Sequence, residues 1–127
     1  MAETAGAEVV RRASLAVRGD GRASRPILGA GTAAWEGVVL GEWELERAWL
    51  EDRHPHDEIN YVLDGELVVS CGGAVHRLRA GDTIRVPGGS AARYEAPQYA
   101  RMLFVYGPNP QGAPSAVIGS GRGAADP

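Results

Sequence analysis

The chain contains no lysine; all 13 of its basic residues are arginines. Without an ε-amine, Schiff-base chemistry is excluded, and so is pyridoxal phosphate held in its usual covalent way. There is one cysteine, Cys71, so no disulfide can form within the chain. A reducing, cytoplasmic setting is the expectation. No apolar run approaches the roughly 18 residues of a membrane-spanning helix, and residues 1–12 lack the apolar core of a secretory signal. A basic excess is missing as well: 16 acidic residues against 13 basic give a net charge of −3. That argues against a nucleic-acid or anionic-membrane partner. Capped helical periods are also absent. What is abundant is punctuation, 18 glycines and 8 prolines in 127 residues, which suits short strands and turns. This length, at 44% hydrophobic, supports one domain with a modest core.

The middle of the chain reads as successive strands. From Val38 to Leu50 the residues alternate, with Trp43, Leu45, Arg47 and Trp49 on one face and Glu42, Glu44 and Glu46 on the other. This two-residue period favours a strand over a helix across Trp35–Glu51, and the glutamate stripe reads as a solvated face. Glu58–Val69 is β-rich, and its Asp64-Gly65 pair reads as a hairpin turn. Further turns are expected at Cys71-Gly72-Gly73, Ala80-Gly81-Asp82 and Pro87-Gly88-Gly89. Strands are expected at Ala74–Leu78, Thr83–Val86, Ala92–Glu95 and Arg101–Tyr106. Together these predict an all-β sandwich or barrel. Residues 1–26 read as an arm or edge strand, with a short strand over Ser14–Arg18; residues 111–127 read as a flexible Gly/Pro-rich tail. The glycines from Gly119 to Gly123 neither follow a strand nor open a helix, so they predict no phosphate loop and no NAD site.

Chemistry concentrates in Asp52-Arg53-His54-Pro55-His56-Asp57-Glu58, which holds two of the three histidines. In extended backbone Asp52, His54, His56 and Glu58 project from one face. Imidazole nitrogen with carboxylate oxygen suits Zn, Fe, Mn, Ni or Co. Without metal the same groups make an acid–base pair. The remaining histidine, His76, and Cys71 have no reactive neighbours in sequence and read as bystanders.

Two spacings in this chain resemble the paired motifs of the cupin superfamily. His54, three residues, Glu58, six residues and Gly65 are similar to the first; Gly81, five residues, Pro87, Gly88 and Gly89 are similar to the second. Fifteen residues separate Gly65 from Gly81. The resemblance covers about residues 35–107. It implies a double-stranded antiparallel jelly-roll barrel over residues 27–110, usually as a homodimer. Members generally hold a metal on two histidines and a glutamate of the first motif and a histidine of the second. Here the first histidine position is Asp52, His54 and Glu58 match, and the second-motif histidine falls at Ala92. The resemblance therefore implies either one divalent metal on His54 and Glu58, completed by His56 or Asp52, or no metal and an acid–base pair.

Parity suggests the pocket lining. Asn60 faces inward with Glu58, and Tyr94 shares a face with Ala92. Trp43, Arg47 and Trp49 either line the interior, where they would hold a carboxylate or planar ligand, or cover an outer interface. Met102, Phe104 and Tyr106 compete with Arg101, Leu103 and Val105 to face inward. The expectation is an enzyme that performs non-redox acid–base chemistry, of an isomerase, cyclase, condensation or lyase type, on a compact organic metabolite. Glu58 is its base, His54 its acid or orienter, Asn60 and Tyr94 its oxyanion stabilisers, and Arg47, Trp49, Trp43, Phe104 and Met102 its substrate contacts. The alternatives are a metal-dependent dioxygenase or lyase and a non-catalytic small-molecule binder.

Overall fold

The computed structural model describes residues 6–13, 15, 17, 19–29 and 34–123. Seven strands carry the fold: β1 Arg22–Leu28, β2 Val39–Arg53, β3 Glu58–Cys71, β4 Ala74–Arg79, β5 Thr83–Val86, β6 Ala91–Tyr106 and β7 Ala116–Arg122. All pair antiparallel. The proposed strand over Ser14–Arg18 rests on Ser14, Ala16 and Arg18, which lie outside the described residues, as do residues 124–127 of the expected tail.

The long strand β6 lies between β2 and β3 along its length. The outer edge of β2 is taken first by β1 and then by β7, and that of β3 first by β5 and then by β4. The stretch expected to be a flexible tail therefore contains a paired strand, and β1 runs across the boundary expected at residue 26.

The expectation of a closed barrel is not met. The hydrogen-bonded order runs β1-β2-β6-β3-β4, with β5 joined only to β3 and β7 only to β2. Among the described residues no ladder joins the β1/β7 edge to the β4/β5 edge. The edge residues fit this openness. Pro26 in β1 has no N–H to donate, and Arg77 and Arg79 stand exposed on β4; both devices discourage further pairing.

The open sheet nevertheless folds over on itself. Trp43 sits opposite Met102, and Leu50 opposite Tyr94. Seven residues of strand separate those rows, about 23 Å in a flat sheet. Yet the rings of Trp43 and Tyr94 meet edge-on, with centroids 5.4 Å apart. The core of Val39, Trp43, Leu45, Ala48, Val62, Leu67, Val69, Tyr94, Met102 and Phe104 fills the fold.

Bulges make the bend. One lies between Glu46 and Ala48, where Arg47 takes a left-handed backbone (φ 42°). Before it the buried apolar side chains of β2 stand at odd positions (Val39, Trp43, Leu45), with Glu42 buried on the other face; after it the buried positions are even-numbered (Ala48, Asp52). A single extra residue has switched the parity. The Asp64-Gly65 pair makes no hairpin, because β3 runs through it. Gly65, at φ 82°, forms a second bulge whose missing side chain leaves room for the Tyr99 carbonyl. The glutamate stripe is not wholly solvated either: Glu42 is buried between Arg25 and Arg101, 2.6 Å from each guanidinium.

Candidate metal centre

Three of the candidate residues converge where β2 passes into β3. Asp52 closes the buried face of β2, Glu58 opens that of β3, and His54 lies in the turn between them. The turn 54–57 is held by the segment around Pro87-Gly88-Gly89. The Gly88 N–H donates to Asp57 Oδ1 (2.8 Å), and the Gly89 N–H to the His54 carbonyl (2.7 Å). A Cβ on Gly88 would stand 2.9 Å from the Pro55 carbonyl oxygen. The two glycine-bearing spacings of the sequence thus meet: one supplies the ligating residues and the other shapes the turn that carries them.

His54 Nε2 lies 3.1 Å from Asp52 Oδ2 and 3.1 Å from Glu58 Oε1. Neither His54 Nε2 nor Glu58 Oε1 has a hydrogen-bond partner, although both atoms are buried. The three atoms crowd together at close range without a well-aligned hydrogen bond between them. Asp52, His54 and Glu58 form a candidate metal-binding cluster, one donor atom from each within 4.8 Å of the others. The far side of the imidazole supports that use. His54 Nδ1 is 2.7 Å from Ser115 Oγ; a proton on Nδ1 donated there leaves the Nε2 lone pair free. The donor set of one nitrogen and two oxygens suits a divalent transition metal. In the absence of a metal, burial alone would lower the His54 pKa. The neighbouring carboxylates of Asp52 and Glu58 outweigh it and raise the value from 6.5 to about 9.

His56, expected on the same face, stands outside the cluster. Its Nδ1–H donates to the Asp57 carbonyl (2.9 Å), and its ring stacks on His54 with centroids 4.8 Å apart. Burial lowers its pKa and keeps it neutral. The turn at Pro55 breaks the extended geometry that strand parity assumed.

Behind the cluster lies a polar chain. The Trp43 Nε1–H donates to Asn60 Oδ1 (2.8 Å), and Asn60 Nδ2 donates to Glu58 Oε2 (2.8 Å). Asn60 is fully buried, so its amide holds a protein carboxylate rather than waiting for a substrate oxygen. Tyr94 is also fully buried. Burial first, then the charges of Glu58 and Asp52, raise its pKa and keep the phenol protonated.

A cavity of about 120 Å³ adjoins the cluster, lined by Ser24, Trp43, Leu50, Asp52, Glu58, Phe104 and Tyr106. It shares Ser24, Trp43 and Leu50 with an outer hollow of about 320 Å³ that Asp20 and Arg22 also line. Met102 is in the core, inward like Phe104 but not part of the cavity wall. Arg47 and Trp49 do not reach the site. The bulge leaves Arg47 exposed and turns Trp49 outward, where β7 covers it: a Cβ on Gly119 would stand 3.3 Å from its indole, and the Arg93 guanidinium lies 4.0 Å over the ring. Sequence reasoning missed Ser24, which precedes the expected domain, Ser115, placed in the tail, and Trp35, whose ring packs edge-on against His56 at 5.2 Å. No local pattern marks the two serines; Trp35 carried only its aromatic character.

Fold and site together define a small all-β protein with a histidine–carboxylate centre at a strand junction. Residues 42–106 match the cupin domain family, and the chain belongs to it. A curated relative, named "Acetate kinase EutQ", from Clostridioides difficile (strain 630), is 32% identical over 65 residues, which are 51% of this chain and 41% of that protein. The chain thus spans well under half of that relative's length. The crystal structure of a putative ethanolamine utilization protein Q from Salmonella typhimurium LT2 is 26% identical, covering 69% of this chain and 70% of that one, at a TM-score of 0.61. An RmlC-like cupin from Shewanella frigidimarina NCIMB 400, 20% identical at a TM-score of 0.62 over 75% of this chain and 83% of its own, shares the fold. No helix of the described residues is long and apolar enough to cross a membrane.

Proposed function

We propose that the protein is a cupin enzyme that holds one divalent transition metal on Asp52, His54 and Glu58 and performs non-redox, lyase- or isomerase-type chemistry on a compact organic molecule. The observation that carries this reading is the pair of buried, unpartnered donor atoms, His54 Nε2 and Glu58 Oε1, which lie 3.1 Å apart with Asp52 Oδ2 3.1 Å from the same nitrogen. Buried polar atoms without partners are rare, and a cation between them removes the cost. A bound metal supplies Lewis-acid polarisation of a substrate oxygen. The remaining work falls to the chain. Trp43, Leu50 and Phe104 supply the apolar wall of the cavity. Tyr106 lines it with a phenol whose pKa is raised, by burial first and then by Glu58 and Asp52; it stays protonated and can donate to developing negative charge on the substrate. The oxygenase alternative asks for two histidines and one carboxylate, whereas this cluster offers the reverse ratio.

A metal-free acid–base pair is the second reading. It is favoured by the raised pKa of His54, which makes it an imidazolium beside Glu58 at neutral pH. The kinase activity in the Clostridioides relative's name fits less well. The inner cavity presents two carboxylates and no arginine or lysine, and phosphoryl transfer needs cations on the phosphate.

Elemental analysis of untagged protein after incubation with Mn²⁺, Fe²⁺, Co²⁺, Ni²⁺ or Zn²⁺, beside His54→Ala, tests the proposal. One equivalent of metal per chain, lost in the variant, is expected. No retention of any of the five would overturn it in favour of the acid–base pair.

A further inference from the structure

The chain Trp43–Asn60–Glu58 has a direction that chemistry fixes. An indole N–H can only donate, so the Asn60 oxygen must be the atom facing Trp43. The Asn60 nitrogen must then face Glu58, whose carboxylate can only accept. No flip of the amide satisfies both neighbours. Trp43, Asn60 and Glu58 are at most 7% exposed, so water offers little substitute for either bond. One oxygen of Glu58, Oε2, is thereby engaged by Asn60. The other, Oε1, is left without a hydrogen bond, 3.1 Å from His54 Nε2.

We infer that Trp43 and Asn60 are positioning residues that make Glu58 a one-oxygen ligand by occupying its second oxygen. The inference rests on the metal reading above and adds what sets the geometry of that site. A carboxylate free to rotate could turn both oxygens to the ion, as it often does toward large cations. Pinned at Oε2, Glu58 presents a single oxygen, and the cluster presents three donor atoms in all. That count leaves positions open for a substrate on a small transition-metal ion. The control is remote from sequence logic: Trp43 comes from β2, two positions beyond Gly41, and reaches Glu58 only through the side chain of Asn60.

The test is Co²⁺ binding to the metal-free, untagged full chain, by calorimetry and by the visible bands of the bound ion. Four proteins are compared: the parent, Trp43→Phe, Asn60→Leu and the double variant. Loss of an outer hydrogen bond to a ligand costs roughly 10- to 100-fold in affinity. That loss is expected for Asn60→Leu, together with shifted visible bands as Glu58 changes its mode of binding. Trp43→Phe keeps an aromatic ring and removes only the N–H; a smaller loss, about 3- to 10-fold, is expected. The double variant should bind no more weakly than Asn60→Leu alone, because both act on one chain of contacts. Leu67→Val, in the core and away from the cluster, should lower the melting temperature without moving Co²⁺ affinity. If Asn60→Leu does not fold, Trp43→Phe and the smaller Asn60→Ala, which cannot donate to Glu58, carry the test. Parent protein that binds Co²⁺ while every relay variant binds within twofold of it with unchanged bands would overturn the inference and leave the metal centre standing. Parent protein that binds no Co²⁺ would overturn the metal centre, and the inference with it.

Discussion

Gly41→Ala tests the packing that shapes the cavity. Gly41 lies buried in the middle of β2, with Phe104 opposite it on β6 and Pro26 on β1. The ring of Phe104 lies across the glycine, and a Cβ there would fall on its Cζ and Cε2 and 2.9 Å from the Arg25 carbonyl oxygen. β2 cannot step aside, because both of its edges are paired. The ring must retreat by roughly 1.5–2 Å to regain the carbon–carbon optimum of about 3.5–4.0 Å. The direction open to it is the cavity of about 120 Å³ that it already lines. Overpacking of this kind costs about 1–3 kcal/mol. The lower backbone entropy of alanine in a strand returns about 0.5–1 kcal/mol, for a net loss of roughly 1–2 kcal/mol. For a domain of this size that is roughly 4–8 °C of melting temperature. The assay is thermal and urea unfolding of the parent, Gly41→Ala, Phe104→Leu and the double variant. In the Phe104→Leu background the alanine should cost clearly less than in the parent, since the ring is gone and only the Arg25 carbonyl contact remains. Strictly additive losses would refute the argument, because they would mean that the ring does not bear on residue 41.

Other perturbations follow from the same geometry. The metal-free protein should lose stability as pH rises from about 6.5 through about 9. The folded-state pKa of His54 lies above its ordinary 6.5, so the contribution is complete below 6.5 and gone above 9; urea midpoints measured across that window in EDTA check it. Added Co²⁺ should reverse the trend, since the metal competes with the proton on Nε2. Glu42→Gln should cost about 2 kcal/mol, less than for a fully buried pair, by leaving Arg25 and Arg101 facing a neutral amide; high salt should not reproduce that loss in the parent. Arg47→Gly should stabilise by about 0.5–1 kcal/mol. The left-handed backbone at φ 42° costs an L-residue about 1–2 kcal/mol, glycine returns part of that as entropy, and the exposed pair with Glu46 is worth little. An unchanged or lower urea midpoint would contradict this.

Most strand positions, and the shared inward side of Glu58 and Asn60, follow a two-residue period that survives wherever the ladder is regular, whereas the period alone left open which face of Arg101–Tyr106 points inward. The errors cluster at the bulges. Arg47 and Trp49 share parity with Trp43 on paper, but one extra residue at the bend sends Trp49 outward under β7. Asp64-Gly65 has the composition of a hairpin turn, yet the long-range pairing of β3 with β6 uses the same positive-φ glycine to bend a strand. The open edges were not legible from motifs, which report turns and ligands and say nothing of whether the first and last strands meet. Ser115 was not legible at all: it lies 61 residues from His54, and only the pairing of β7 with β2 brings that segment back.

The departures from the family's usual ligand set read as one exchange. Ala92 pairs directly with Asp52 across β2 and β6. The position where the second-motif histidine would fall and the position where the first-motif histidine would fall are therefore neighbours in the same row. One carries no donor, and the other carries a carboxylate. Two carboxylates and one neutral imidazole carry a charge of −2, which offsets that of a divalent ion; the family's three histidines and one glutamate carry −1. A divalent ion held there would be neutralised, and so would be a weaker electrophile than one held by the family's usual set. On the proposed metal reading, such a centre would suit reactions whose developing charge is shared with a protonated phenol such as Tyr106 better than reactions that depend on the metal's charge alone.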